Sequence, residues 1–289
     1  MKISLIYETA SLGGLDMLWE SVRFQTMLSE DFELIIVDDW HKQRQDALAD
    51  YLQGSDLRCT HIPPKQTGVS YHNSASFNTG LALAMGELVI FLVDFVWLPE
   101  DFLEWHWRFY QEHPGYSLSA YVDRYKYPPI VDGKLTIFDE WFDRAYAEKW
   151  LVDGNLIYQE RKGGTLNREI ARGVYEMSGN RIYMLGDSVP LAVMKELNGW
   201  DERYDGGYSC NDLDIGLRAN MLGWKFAVDL TAPTLKKLGD KSMAHLLPTI
   251  KTEFVRQPED NYRMFQERIK AINEGREPIA VPDGRGAWA

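Results

Sequence analysis

The sequence predicts an α/β domain built on a mostly parallel sheet, flanked by helices. Three observations carry this. Short apolar runs rich in β-branched residues alternate with stretches of helical period through the first hundred residues. Two of those runs stop abruptly at aspartates. The composition, 45% hydrophobic and 26% charged over 289 residues, is that of a globular chain with a sizeable core.

Ile3 to Glu8 reads as the first strand. After a Gly13-Gly14 turn, Leu15, Leu18, Trp19, Val22 and Met27 mark one face of a helix. Phe32 to Val37 is the second strand, ending at Asp38-Asp39, and Gln43 to Leu52 the next helix. A third helix is expected from Ser74 to Met85, stopped by Gly86, before a strand from Glu87 to Val93 delivers Asp94. Ligands of open parallel sheets gather at the carboxyl ends of the strands, so Asp38, Asp39 and Asp94 are expected to line one crevice.

Beyond Pro99, Glu100 to Glu112 is read as a helix, and 117–183, mixed in aromatics, charges and turn signals, as a variable insertion with acceptor contacts. Ser188 to Leu197 is expected to be helical, followed by Gly199-Trp200-Asp201, a helix from Asn211 to Leu222 closed by Gly223, and a strand from Lys225 to Leu230. Glu259 to Asn273 reads as an amphipathic helix and the Gly- and Pro-rich end as an arm or linker.

Several classes are disfavoured early. Cys59 and Cys210 have neither disulfide-framework nor zinc-site spacing. No run of about 18 uncharged apolar residues appears, and the apolar stretch at the start is too short for a signal peptide, so a cytoplasmic location without a membrane span is expected. Forty-three acidic against thirty-one basic side chains give a net charge of −12, which disfavours nucleic acid as a partner.

Three segments in order resemble glycosyltransferase family 2 and related enzymes of the GT-A fold. The first is Leu34-Ile35-Ile36-Val37-Asp38-Asp39, similar to the family's strand ending in paired aspartates. The second runs from Asn78-Thr79-Gly80 through Ala84-Met85-Gly86-Glu87 to Phe91-Leu92-Val93-Asp94-Phe95. It resembles the helix, Gly-Glu turn and Asp-x-Asp strand of the family, with a single carboxylate where the family places two or three. The third is Leu197-Asn198-Gly199-Trp200-Asp201-Glu202 with Asn211-Asp212-Leu213-Asp214-Ile215-Gly216-Leu217-Arg218, similar to a Gly-Gly-Phe-Asp-Glu turn and Glu-Asp-x-Asp helix.

The resemblance implies a single domain over 1–250, with a nucleotide-sugar-binding part at 1–116, the insertion at 117–183 and an acceptor and catalytic part at 184–250; 251–289 is then a C-terminal helix and arm. It implies a donor, UDP-sugar by preference, held by Tyr7, Glu8, Asp38, Asp39, Asn78 and Asp94. Trp200, Tyr204, Tyr208 and Asn211 are the acceptor contacts, and Asp212 is the general base. Mn²⁺ or Mg²⁺ is expected on Asp94 and His245, since hard cations take oxygen ligands and imidazole suits Mn²⁺. Lys236, Lys237 and Lys241 are placed to neutralise the diphosphate as point charges. Asp214 is expected to pair with Arg218 four residues on rather than to react.

A saccharide acceptor is favoured, with glycolipid, protein and modified nucleobase hydroxyls also admissible. A retaining enzyme on the same fold is the nearest alternative. A nucleotide-sugar-binding protein without transferase activity is the alternative from another class, motivated by Val93-Asp94-Phe95, and the complete Asn-Asp-x-Asp segment argues against it. A nucleotidyltransferase is the weakest reading, because Ser11-Leu12-Gly13-Gly14 is a poor phosphate loop.

Overall fold

The computed structural model describes residues 1–11, 13–69, 71–126, 145, 148–149, 151–160, 166–177, 182, 185–207, 209–239 and 257–288. The strands in chain order are β1 (Ile3–Thr9), β2 (Phe32–Asp38), β3 (Arg58–Ile62), β4 (Leu88–Leu92), β5 (Val96–Trp97), β6 (Tyr116–Ser119) and β7 (Val122–Tyr125). They continue with β8 (Leu156–Glu160), β9 (Leu166–Ala171), β10 (Val174–Met177), β11 (Ser188–Pro190), β12 (Lys225–Asp229) and β13 (Leu235–Leu238). The helices are α1 (Leu15–Arg23), α2 (His41–Leu52), α3 (Asn73–Leu83), α4 (Phe102–Glu112), α5 (Leu191–Glu196), α6 (Asn211–Met221) and α7 (Pro258–Asn273).

Nine strands form one sheet in the order β3-β2-β1-β4-β11-β6-β12-β10-β9. β3, β2, β1 and β4 are mutually parallel, and β6 pairs parallel with β12, while β11 runs against both β4 and β6. A smaller sheet, β5-β13-β7-β8, packs at the carboxyl side of β4. β10 pairs antiparallel with both β12 and β9, so the large sheet is mixed: the parallel strands expected from the sequence form its β3-β2-β1-β4 side, and four of its eight pairings are antiparallel.

Each residue of β1 and β2 is buried, because helices cover both faces. Ile3, Leu5 and Tyr7 face Leu15, Leu18 and Trp19 of α1, whereas Ile6 faces Phe77 and Leu81 of α3. On that second face α3 comes so close that a Cβ on Gly80 would overlap Ile6 Cγ2. Replacing Gly80 by alanine should therefore cost about 1–3 kcal/mol through overpacking, despite the better helix propensity of alanine. Urea unfolding checks this; a variant as stable as the wild type would contradict the close packing.

Three expectations need correction. Ser188 to Pro190 is strand β11, not the start of a helix: it pairs antiparallel with β4, and Pro190 ends it as the N-cap of α5. Ser117 to Ser119 lies in the centre of the large sheet, so the segment read as an insertion contributes core at its beginning. The C-terminal arm is a docked strap. Val281 N–H donates to Leu197 O (2.9 Å), Ala287 N–H to Asn198 O (3.1 Å) and Glu202 N–H to Arg285 O (3.1 Å). Among the described residues no helix is long and apolar enough to cross a membrane.

Candidate active site

Parallel strands expose their terminal residues at one edge, and β1, β2 and β4 bring Glu8, Asp38-Asp39 and Asp94 to it. Asp38 and Asp39 point to different tasks. Asp38 is fully buried; its Oδ1 accepts from Arg44 Nη1 (3.2 Å) and Trp40 N–H (2.8 Å), and its Oδ2 lies 2.9 Å from His61 Nε2. Arg44 also donates to Ser11 O, so this pair ties the ends of β1 and β2 together. The expectation that Asp38 contacts a donor is corrected: both oxygens are spent within the protein. Asp39, next along, accepts from His72 Nε2 at 2.8 Å.

His72 sits at the N-cap of α3, with its other ring nitrogen 3.0 Å from Val69 O. Two acceptors, one on each nitrogen, favour the imidazolium. Burial opposes that charge, but the Asp39 hydrogen bond and charge, the Val69 carbonyl and Glu8 outweigh it and lift the pKa from 6.5 to about 9. The contribution of this pair to stability is therefore complete below the unfolded pKa of 6.5 and lost as pH rises through about 9. Urea midpoints of wild type and His72→Gln, measured from about pH 6 to about pH 10, should converge at the alkaline end. A constant gap between them would contradict the assignment.

Glu8, buried, and Asp94, half-buried, lie close enough for their charges to interact. Burial raises the Glu8 pKa well above the usual carboxylate range, with Asp94 and Asp39 adding to the effect and His72 and Lys237 opposing it. Burial likewise raises that of Asp94, against the Thr9 and Ser11 hydroxyls and the Lys237 and Arg44 charges. Asp94 Oδ2 receives a long bond from Ala10 N–H (3.4 Å), and its buried Oδ1 has no hydrogen-bond partner among the described residues. Lys237 of β13 donates to the Asp94 carbonyl. The next residue, Phe95, turns left-handed (φ 58°) and buries its ring beside Met17 and Tyr125. Gly14, itself at φ 84°, leaves room for that ring; a Cβ there would lie 2.9 Å from Phe95 Cδ1.

The Asp94 Oδ1 orphan suits a hard cation, so the site fits one carboxylate ligand of Mn²⁺ or Mg²⁺. Among the described residues no three His, Cys, Asp or Glu side chains cluster as a metal site. His245 falls outside the described residues, as does Tyr208.

The second half of the site is fastened to the same edge. Asp205 caps α3, accepting from Ser74 N–H (2.9 Å) and Ala75 N–H (3.0 Å). Gly206 N–H donates to Tyr71 O, one residue before His72. The turn from Asp201 to Gly207, which leads into α6, is thereby bolted beside the Asp39–His72 pair. Asp212 lies in the first turn of α6 and is half-buried; its Oδ1 accepts from Leu213 N–H (2.9 Å). Asn211, also half-buried, accepts the Asp212 N–H at 3.0 Å. Asp214 instead points inward and accepts from Arg218 Nε at 2.7 Å, the expected i+4 pair.

Four further expectations are corrected by burial. Tyr7 is fully buried in the α1-side core, so it underlies the site rather than facing a donor. Asn78 spends its amide on the backbone of Trp200, donating to its carbonyl (2.9 Å) and accepting its N–H (2.8 Å). Trp200 itself is fully buried, stacked on Phe77 and edge-on to Phe91. Tyr204 is 2% exposed and its hydroxyl bonds Asp214 (3.3 Å). These side chains brace the turn and are closed to an acceptor. His72, Asp205 and Arg44 carry no signal in the sequence, since a lone histidine before a helix or an arginine within one looks like surface.

A mixed α/β sheet with acidic residues at the carboxyl edge of its parallel strands, and a second acidic helix fastened beside them, is an arrangement of the GT-A fold. The chain belongs to glycosyl transferase family 2, whose sequence model matches residues 13–178. It is similar in structure to S. aureus TarS 1-349 in complex with UDP-GlcNAc, with a TM-score of 0.55 and 14% identity over 94% of this chain and 66% of that one. GalNAc-T7 with UDP, GalNAc and Mn²⁺ superposes with a TM-score of 0.61 and 10% identity, over 92% of this chain and 48% of that chain. Against S. aureus TarS the TM-score is 0.51 at 16% identity, over 83% of this chain and 37% of the other. The matched region is therefore little more than a third of that protein. No curated protein matches this chain.

Proposed function

We propose that this chain transfers a sugar from a UDP-sugar to an acceptor hydroxyl, by saccharide preference, with inversion at the anomeric carbon. The observation that carries the proposal is the placement of Asp39, Glu8 and Asp94 at one sheet edge with the Asp212 turn fastened beside them. Support for the donor comes from the family and from the UDP and UDP-GlcNAc bound to the similar TarS structures.

In this reading Asp39 accepts a hydrogen bond from the uridine, its orientation fixed by His72. Lys237, which donates to the Asp94 carbonyl, supplies positive charge for the diphosphate. Asp94 would hold Mn²⁺ or Mg²⁺ through its orphan oxygen, with His245 as a second ligand, and the cation would supply neutralisation of the leaving diphosphate. Asp212 takes the proton of the acceptor hydroxyl as its oxygen forms the new bond to the anomeric carbon. The bond from that carbon to the phosphate oxygen breaks, and UDP leaves with the electron pair.

Release of nucleoside diphosphate from a panel of UDP-, GDP- and ADP-sugars with Mn²⁺, over saccharide acceptors and water, tests the reading. Turnover of a UDP-sugar with an inverted anomer by NMR is expected. Binding without turnover would favour a binding protein, and retained configuration would remove Asp212 from the role of base. Lys237→Met should weaken UDP binding about tenfold, with Lys237→Arg restoring most of it. Calorimetry reads both, and unchanged affinity in Lys237→Met would remove the lysine from the donor site.

A further inference from the structure

We infer that α7, at the far end of the chain, positions the base: Asn261 and Arg268 hold the turn and helix that carry Asp212. This rests on the proposed role of Asp212. Asn261 is fully buried, and its Nδ2 donates to Tyr204 O and to Ser209 O, both at 3.1 Å. Those two carbonyls bracket the turn that enters α6. The entry is conformationally demanding, since Ser209 (φ 87°) and Cys210 (φ 73°) are both left-handed, a region non-glycine residues adopt only when held there. The fit is close: a Cβ on Gly207 would lie 2.9 Å from Asn261 Nδ2.

Arg268 acts two turns further along α7. Its Nε donates to Asp214 Oδ1 (3.1 Å), and its Nη1 lies 2.8 Å from Glu277 and 3.4 Å from Asp201. Asp214 in turn binds Arg218, which donates to Leu197 O and Gly199 O (3.1 Å each). One guanidinium thus joins the Gly-Trp-Asp turn, the strap and α6 two residues from Asp212. The apolar side of α7 alone would need only packing; two buried polar side chains aimed at the entry to α6 add direction, which is what fixing a base requires.

The test is UDP release from the best UDP-sugar, with water as acceptor, together with UDP affinity by calorimetry. Asn261→Ala is expected to lower kcat by about 100-fold, as a base displaced by about 1 Å would, while UDP affinity stays within about threefold. Arg268→Lys, which keeps the charge and loses the fork, should show the same split with a smaller kcat loss. Arg263→Met, on the exposed face of α7, should leave both unchanged. Loss of kcat and UDP affinity together in Asn261→Ala and Arg268→Lys would overturn the inference in favour of a general structural role, and so would an unchanged kcat. Asp212→Asn separates the two levels: if it retains activity the proposed base fails, and if it is inactive while Asn261→Ala is fully active only this inference fails.

Discussion

Asp212→Asn should lower sugar transfer by about a thousandfold while leaving UDP affinity intact, because a general base contributes roughly 10²–10⁴ to the rate and nothing to donor binding. The substitution is nearly isosteric, and the amide oxygen can keep the Leu213 N–H contact made by the carboxylate. The loss therefore reports the proton acceptor rather than a collapsed helix end. Steady-state kinetics and calorimetry on the same preparations check both halves. Equal losses of affinity and turnover would place Asp212 at the donor instead.

The second large effect is on stability. Asp214 is fully buried between Arg218 and Arg268, both also buried, and it accepts from each. Asp214→Ala leaves two guanidiniums in the core without that carboxylate, and breaking a buried pair in this way costs about 3–5 kcal/mol. For a chain of this size that is a fall of roughly 10 °C in Tm. A Tm within about 2 °C of wild type would mean that the network contributes little beyond packing.

The sequence makes β1, β2 and β4 legible because helices on both faces demand unbroken apolar runs, and Asp39 and Asp94 stand out where those runs stop. β3 is hidden by its exposure: Arg58 to Ile62 lies at the sheet edge and carries a mixed, half-buried pattern. β5, β7 and β13 are two to four residues long, too short for a period to show.

In the site, position alone misleads. Asn78 and Trp200 occupy motif positions, yet the amide closes on backbone and the indole fills the core between Phe77 and Phe91. A polar or aromatic side chain looks the same in sequence whether it meets a ligand or braces a turn. Asp214 was separable from Asp212 because two residues along a helix put them on different faces. Its bond to Arg268 was not, since the two are 54 positions apart in the chain.

The central claim is a donor site built on Asp39 at the carboxyl edge of the sheet, and calorimetric titration of UDP into wild type and Asp39→Ala tests it most directly. The account predicts saturable binding by the wild type, weakened about 10- to 100-fold in the variant, as expected for loss of a charge-assisted hydrogen bond. UDP binding of equal affinity in both proteins, or none by the wild type, would contradict it.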